Sequence, residues 1–269
     1  MATEAVARPA ATILLVRDGT NGLEVFMVVR HHAIDFASGA LVFPGGRVDE
    51  NDHDVASQPD LCPNPDCLLT TEMAFRVAGV RETFEECGVL FARPRGEDAL
   101  IGADQLRQVE ETHRAPLANG EIGFDAVLTA HNLLPATDLL VPFAHWITPA
   151  HQPKRYNTQF FLAPAPSEHL AVHDGHESVD SVWMTPQQVI AETKSGRFKL
   201  VFATEMNLMK LAQSATVAEA IAAAQAAPVV TVQPQVVSRD GTRRKMRIPL
   251  EAGYGGEIFD VDNPPASGG

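Results

Sequence analysis

The sequence predicts an α+β fold, a mixed sheet flanked by helices with a C-terminal hairpin added. Strand-like alternation fills residues 10–30 and returns at 141–184. Helical periodicity fills residues 72–87 and several later segments. The two periodicities interleave without the strict rhythm of a parallel β–α–β protein, which favours the sandwich.

The elements follow in order. AATILLVRDG and LEVFMVVR flank Asp18-Gly19, a turn signal, so residues 10–30 read as a hairpin. SGALVF is a short strand that meets the breaker Pro44-Gly45-Gly46. Residues 47–71 are polar and proline-rich without a period, and read as a long loop or inserted excursion. Residues 72–87 read as a helix with Thr71 as N-cap and Gly88 as the left-handed C-terminal glycine. GVLFAR reads as a buried strand, and residues 96–132 hold two helical patterns. VPFAHWIT, RYNTQFFLAPAP and SVDSVWM read as strands. Thr185-Pro186 opens a further helix, with proline at its first position, and FATEMNLMKLAQ and TVAEAIAAAQAA complete the helices. Beyond Pro228 alternation resumes on both sides of Asp240-Gly241, a second hairpin, before a PPASGG tail expected to be disordered. The expected organisation is a main domain over residues 1–227 and an extension over 228–269.

Charge and composition exclude several classes. The 21 Lys+Arg against 34 Asp+Glu leave a net charge of −13, against nucleic-acid coating, which needs a basic footprint. Hydrophobic content of 45% is ordinary, and no apolar run nears the roughly 20 residues that span a bilayer. The N-terminus carries Glu4 and runs into a strand pattern, so no signal peptide is expected. Three cysteines make no disulfide framework, which fits a reducing, cytoplasmic setting.

The chemistry concentrates in Arg81-Glu82-Thr83-Phe84-Glu85-Glu86-Cys87-Gly88-Val89. At about 100° per residue, Glu85 lies near −60° and Glu86 near +40° from Glu82. The three carboxylates share one face, and Met73, Val77, Val80, Phe84 and Cys87 take the other. Acids at i, i+3 and i+4 repel one another. A divalent cation relieves the repulsion, and hard oxygens on a rigid face suit Mg²⁺ or Mn²⁺. Arg81 neighbours Glu85 on the wheel and is placed to hold it. Taken alone, such a face is also what a solvated acidic helix presents.

With Gly46 upstream and Gly88-Val89 after the acids, the series resembles the Nudix hydrolase signature. Thr83 stands at a position that is usually aliphatic. The family has 14 positions from glycine to arginine, and here 81 − 46 is 35, an insertion of about 21 residues. Eight positions before Arg81, where the family carries an earlier glutamate, stands Met73, one off from Glu72. The resemblance implies a Nudix-type α/β/α sandwich that hydrolyses a nucleoside diphosphate linked to another moiety, using Mg²⁺ or Mn²⁺. It implies Glu82, Glu85 and Glu86 as catalytic metal ligands, a carbonyl of Gly45 or Gly46 as a further ligand, and Arg81 beside them. It also implies a late water-activating carboxylate, for which Glu177 is the choice, a loop glutamate being the other reading.

Arg30, Gly39 and Phe43-Pro44-Gly45-Gly46 resemble the coenzyme A diphosphatase branch, although Asp35 stands where that branch has a second arginine. The insertion, E-T-F-E-E-C-G-V-L-F and Arg155-Tyr156-x₃-Phe160-Phe161 are similar to the peroxisomal acyl-CoA diphosphatase subgroup and its bacterial relatives. The resemblance implies CoA or acyl-CoA as substrate, with Arg30, Arg47, Arg155 and Phe43 binding it. His31, His32 and Lys154 join a local basic cluster at the pocket mouth. An ADP-ribose or nucleotide-sugar pyrophosphatase, and a non-catalytic nucleotide sensor, are the alternatives. A sensor would have lost one of Glu82, Glu85 or Glu86, and all three are present. The expected partners are a small nucleotide and a second copy of the chain as homodimer, with neither nucleic acid nor membrane. Cys62 and Cys67, with His53 nearby, fall short of a zinc set and read as free thiols. His169, His173 and His176 read as solvated loop histidines.

Overall fold

A computed structural model describes residues 5–30, 39–64, 66–169, 171, 178–241 and 243–262, without the side chains of Arg30, Ser178 and Val179. The predicted disordered tail, Asp35, His31, His32, His173, His176 and Glu177 lie outside the described residues.

The sheet is built around β1 (Arg8–Gly19) and β2 (Gly22–Arg30), the expected hairpin. Its turn falls at Thr20-Asn21, two residues beyond the predicted signal, because Gly22 supplies the positive φ of 109°. β3 (Leu41–Val42) and β4 (Gly45–Arg47) follow. β1 and β2 pair only as far as Val16 and Val25, and then part. β4 pairs with β1 at Ala10–Thr12, and β3 pairs with β2 at Val28 and Val29. Gly45-Gly46 therefore sits where the two central strands diverge.

Residues 47–71 are not wholly loop. They hold α1 (Glu50–Ala56), whose N-cap Asp49 and Asp52 exchange backbone bonds at 3.0 Å each. A helix of two turns is too short to show a period, and its signal lay in the reciprocal cap. α2 (Thr70–Cys87) starts earlier than expected. Its N-cap is Leu69 rather than Thr71, and the Glu72 carboxylate accepts the Leu69 N–H at 3.1 Å. Gly88 ends α2 at φ 71°, as predicted.

The expected buried strand at 88–93 is mostly buried chain with a tight turn, the Ala92 N–H donating to the Leu90 carbonyl at 2.9 Å, and only β5 (Ala92–Pro94) pairs, with β6 (Leu133–Pro135). Between them lie α3 (Ala103–Val109), a π-helical turn (Glu110–Arg114), α4 (Ala115–Ala118) and α5 (Phe124–Ala130). β7 (Val141–Ile147), β8 (Tyr156–Pro164) and β9 (Ser178–Met184) form as predicted, then α6 (Pro186–Lys194), α7 (Phe202–Leu211) and α8 (Val217–Ala226). Thr185 caps α6 through the Gln188 N–H at 3.2 Å. β10 (Thr231–Val232) adds to β7. The second hairpin, β11 (Gln235–Asp240) and β12 (Arg243–Arg247), gains a third strand, β13 (Ile258–Asp262).

The main sheet runs β10-β7-β8-β1-β2-β3, with β9 on β2. β1 and β8 are parallel, so the sheet is mixed. Alternation along β1 separates two cores. Ala11, Ile13 and Leu15 join Val77, Val80 and Phe84 of α2. Leu14 and Val16 join Met206, Leu208 and Leu211 of α7 and Ala220 of α8. The result is the predicted α/β/α sandwich. No described helix is long and apolar enough to cross a membrane.

Candidate active site

α2 turns its apolar face to the sheet, with Met73, Val77, Val80, Phe84 and Cys87 all buried as the wheel predicts. The acidic face meets the divergence of β1 and β2. The Gly45 N–H donates to Glu86 Oε2 at 2.8 Å. Gly46 faces Glu82 so closely that a Cβ there would overlap its carboxylate. The sequence fits this place with a residue that has no Cβ.

Arg81 is the hub. It is buried beside the three acids. Nη1 donates to Glu82 Oε1 and Glu85 Oε1, both at 3.0 Å. Nη2 donates to the Arg47 carbonyl at 2.8 Å. Nε and Nη2 reach Asp52 as a fork, at 2.9 and 2.8 Å. Burial opposes the Arg81 charge, but Asp52, Glu82 and Glu85 outweigh it and hold the guanidinium above the usual arginine range. Burial pushes Glu82 up to about 7, against the pull of Arg81. Burial raises Glu85 and Asp52 as well. A cation bound there would have to displace the proton that burial favours on Glu82.

Asp52 is the residue the sequence reading missed. It is fully buried, and it comes from α1, inside the inserted stretch. Counting back from arginine across an insertion led to Met73, which is a core residue. The same signature, counted forward from the glycine, expects an acid at 14 − 8, or six positions on. Six beyond Gly46 is Asp52. The insertion therefore follows the first acid instead of preceding it.

Divalent metal fits the donor set. Arg81 takes one oxygen of Glu82 and one of Glu85, so the second oxygen of each is placed to serve a cation. The glycine cradle brings the backbone close to Glu82. As the side chains stand, no three His, Cys, Asp or Glu among the described residues converge into a finished metal cluster. A cation would draw the Glu82 and Glu85 carboxylates partly off Arg81, a rotation about their outer torsions.

Other candidates fall elsewhere. Arg155 is buried, and donates from Nε to the Thr148 carbonyl at 3.0 Å and from Nη1 to the Ala5 carbonyl at 2.7 Å. It braces the backbone around β8 instead of lining a pocket mouth. Phe43 packs in the core on the α7 side of the sheet, away from α2. Arg47 exposes its side chain and meets the site through its carbonyl, and Lys154 is exposed. His169 is buried, not solvated, with Nε2 at 2.9 Å from the Ile101 carbonyl, because residues 165–169 pack onto the start of α3. Cys62, Cys67 and Cys87 form no disulfide among the described residues, and burial pushes the Cys62 thiol up to about 11.

Comparison with known proteins adds four findings. The family described as the NUDT19 Nudix domain matches residues 60–202, about half of the chain, including Glu82, Glu85 and Glu86. A crystal structure of a NUDIX hydrolase from Alicyclobacillus acidocaldarius is similar, at 28% identity and TM-score 0.67, over 81% of this chain and 96% of that one. Among curated proteins, nudix hydrolase 7 of Caenorhabditis elegans is 27% identical over 77% of this chain and 61% of its own length. The acyl-coenzyme A diphosphatase NUDT19 of Xenopus laevis is 23% identical over 66% of this chain and 57% of its own. The chain thus spans about six-tenths of the length of these curated relatives.

Proposed function

The chain belongs to the NUDT19 Nudix domain family, and on that premise we propose that it is a metal-dependent pyrophosphohydrolase acting on CoA or acyl-CoA. The observation that carries the hydrolase reading is the complete acidic face of α2 held against Gly45-Gly46 by Arg81. The substrate reading rests on relatives named acyl-coenzyme A diphosphatase. The products would be adenosine 3′,5′-bisphosphate and (acyl-)phosphopantetheine. Water adds to one phosphorus, the bridging P–O bond breaks, and the departing phosphate leaves with the electron pair.

Glu82, Glu85 and Glu86 would hold the cation, with a carbonyl of Gly45 or Gly46 as a further donor. When bound, Mg²⁺ or Mn²⁺ supplies charge neutralisation on the diphosphate and acidifies a water. Arg81 keeps Glu82 and Glu85 on one face, and Asp52 keeps Arg81 there. The Gly45 N–H fixes Glu86 Oε2 against the glycine turn. Glu177 is our choice for taking the proton of the attacking water, and Arg30 and Arg47 for meeting substrate phosphates. Residues 1–227 are taken as the catalytic unit, with 228–269 as an extension whose open edge strands suit a homodimer.

The test is hydrolysis of a panel comprising CoA, an acyl-CoA, ADP-ribose, NADH and diadenosine polyphosphate, each with Mg²⁺, Mn²⁺ or chelator. Cation-dependent release of adenosine 3′,5′-bisphosphate is expected. Preference for ADP-ribose would overturn the substrate while keeping the hydrolase. Nucleotide binding without turnover of any member would overturn the hydrolase in favour of a sensor.

A further inference from the structure

The inserted helices over residues 96–132 reach the acidic helix at its far end, and what they do there deepens the hydrolase reading and rests on it. α2 finishes badly by its own sequence. Its last turn carries Glu85 and Glu86 and no basic residue, although the C-terminal end of a helix is the negative pole of its dipole. Its last carbonyls also need donors from elsewhere. The Gly88 N–H supplies one, to the Phe84 carbonyl at 3.0 Å.

The next carbonyl is served from the insertion. Arg114 Nε donates to the Glu85 carbonyl at 3.1 Å. Arg114 Nη1 donates to Glu110 Oε1, also at 3.1 Å. These two residues are the ends of the π-helical turn Glu110–Arg114, a wide turn of a kind often met at functional sites. The pair sits so tightly over Gly88 that a Cβ on that glycine would overlap the Glu110 carboxylate and crowd the Arg114 guanidinium. Gly88 is thus required twice, for its φ of 71° and for this approach.

We propose that Arg114 is a positioning residue that clamps the end of α2 and thereby fixes Glu85 and Glu86 for the cation. It puts a positive charge and a donor at the helix terminus beside Glu85, and it binds through the backbone. The Glu85 carboxylate stays available to Arg81 and to metal. Glu110 aims the guanidinium and offsets part of its charge. The insertion therefore acts on the geometry of the acidic face.

Arg114→Met and Arg114→Lys test the clamp by two readouts that need no turnover. Electron paramagnetic resonance titration reports Mn²⁺ affinity, and amide hydrogen exchange reports residues 86–91. In Arg114→Met, Mn²⁺ binding is expected to weaken about tenfold, the scale for groups that support a metal ligand. Exchange at 86–91 should quicken at least as much, while Arg114→Lys, which keeps charge and a donor, recovers most of both. Mn²⁺ affinity within twofold of wild type, with exchange unchanged or raised evenly over the whole chain, would overturn the proposal. Failure of the wild-type protein to bind Mn²⁺ would instead count against the metal-dependent hydrolase. Exchange would then decide the clamp alone, with protection at 86–91 kept in Arg114→Met refuting it and selective loss sustaining it.

Discussion

Replacing Asp52 with asparagine is the most informative single change outside the acidic face. The side chain is fully buried and receives Arg81 as a two-pronged fork at 2.9 and 2.8 Å. Asparagine keeps the shape and one acceptor, but its amide N–H₂ faces an N–H of the guanidinium, donor against donor. Arg81 stays buried, with Glu82 and Glu85 as its only carboxylate partners of comparable closeness among the described residues. Breaking a buried pair costs about 3–5 kcal/mol, and the surviving acids put this case near about 3 kcal/mol. For a chain of this size that is a fall in Tm of roughly 6–12 °C, at about 2–4 °C per kcal/mol. Asp49→Asn is the matched control. Its contact with Arg81 is 3.7 Å and half exposed, and asparagine caps a helix as well as aspartate. Urea unfolding of the two variants without metal, and Mn²⁺ titration of each, make the comparison. Arg81, released from Asp52, settles more fully on Glu82 and Glu85, so Mn²⁺ binding should weaken in Asp52→Asn alone. Equal stability and equal Mn²⁺ affinity in both variants would refute the reasoning.

Three further outcomes are expected. Glu85→Gln keeps the far-ultraviolet circular dichroism spectrum and loses at least about 100-fold in turnover, more than loss of a supporting group costs. Retained activity would remove the α2 face from the mechanism. Gly46→Ala pushes the Glu82 carboxylate away, an easy shift for a side-chain end, so Mn²⁺ affinity falls while the unfolding midpoint moves little; the reverse pattern would show Gly46 to be structural only. The raised Glu82 sets a pH dependence. A carboxyl raised in the fold to about 7 ionises first in the unfolded chain, so the metal-free protein loses stability as pH climbs from the ordinary glutamate range through 7. Cation binding expels that proton, so affinity should rise with pH up to about 7 and then level off. Calorimetry over pH 5–8, with and without Mg²⁺, reads both, and a flat affinity profile would show Glu82 to be ionised throughout.

Much of this architecture was legible because its signals are periodic. The apolar runs within β1 and β2 fit strands buried on both faces, and the two cores divide along β1. The apolar stripe of α2 likewise named its large buried residues, Met73, Val77, Val80, Phe84 and Cys87, and left out the small Ala74 and Ala78 packed beside them. What escaped lacked a period. α1 is seven residues long and is announced only by the Asp49–Asp52 exchange. Asp52 was hidden by counting across an insertion from the wrong end. Arg155 and Phe43 show the limit of composition. A basic residue in a basic stretch is a phosphate ligand or a backbone brace, and only the Thr148 and Ala5 carbonyls decide which. The Arg114 contact joins positions 29 apart through a π-helical turn, which no local pattern encodes.

The most direct measurement of the central claim is hydrolysis of CoA in ¹⁸O-labelled water with Mg²⁺, comparing wild type with Glu85→Gln by mass spectrometry. The account expects adenosine 3′,5′-bisphosphate and phosphopantetheine from wild type, one carrying a single ¹⁸O, with neither formed under chelation or by Glu85→Gln. Equal product from the variant, or product that survives removal of the cation, would contradict it.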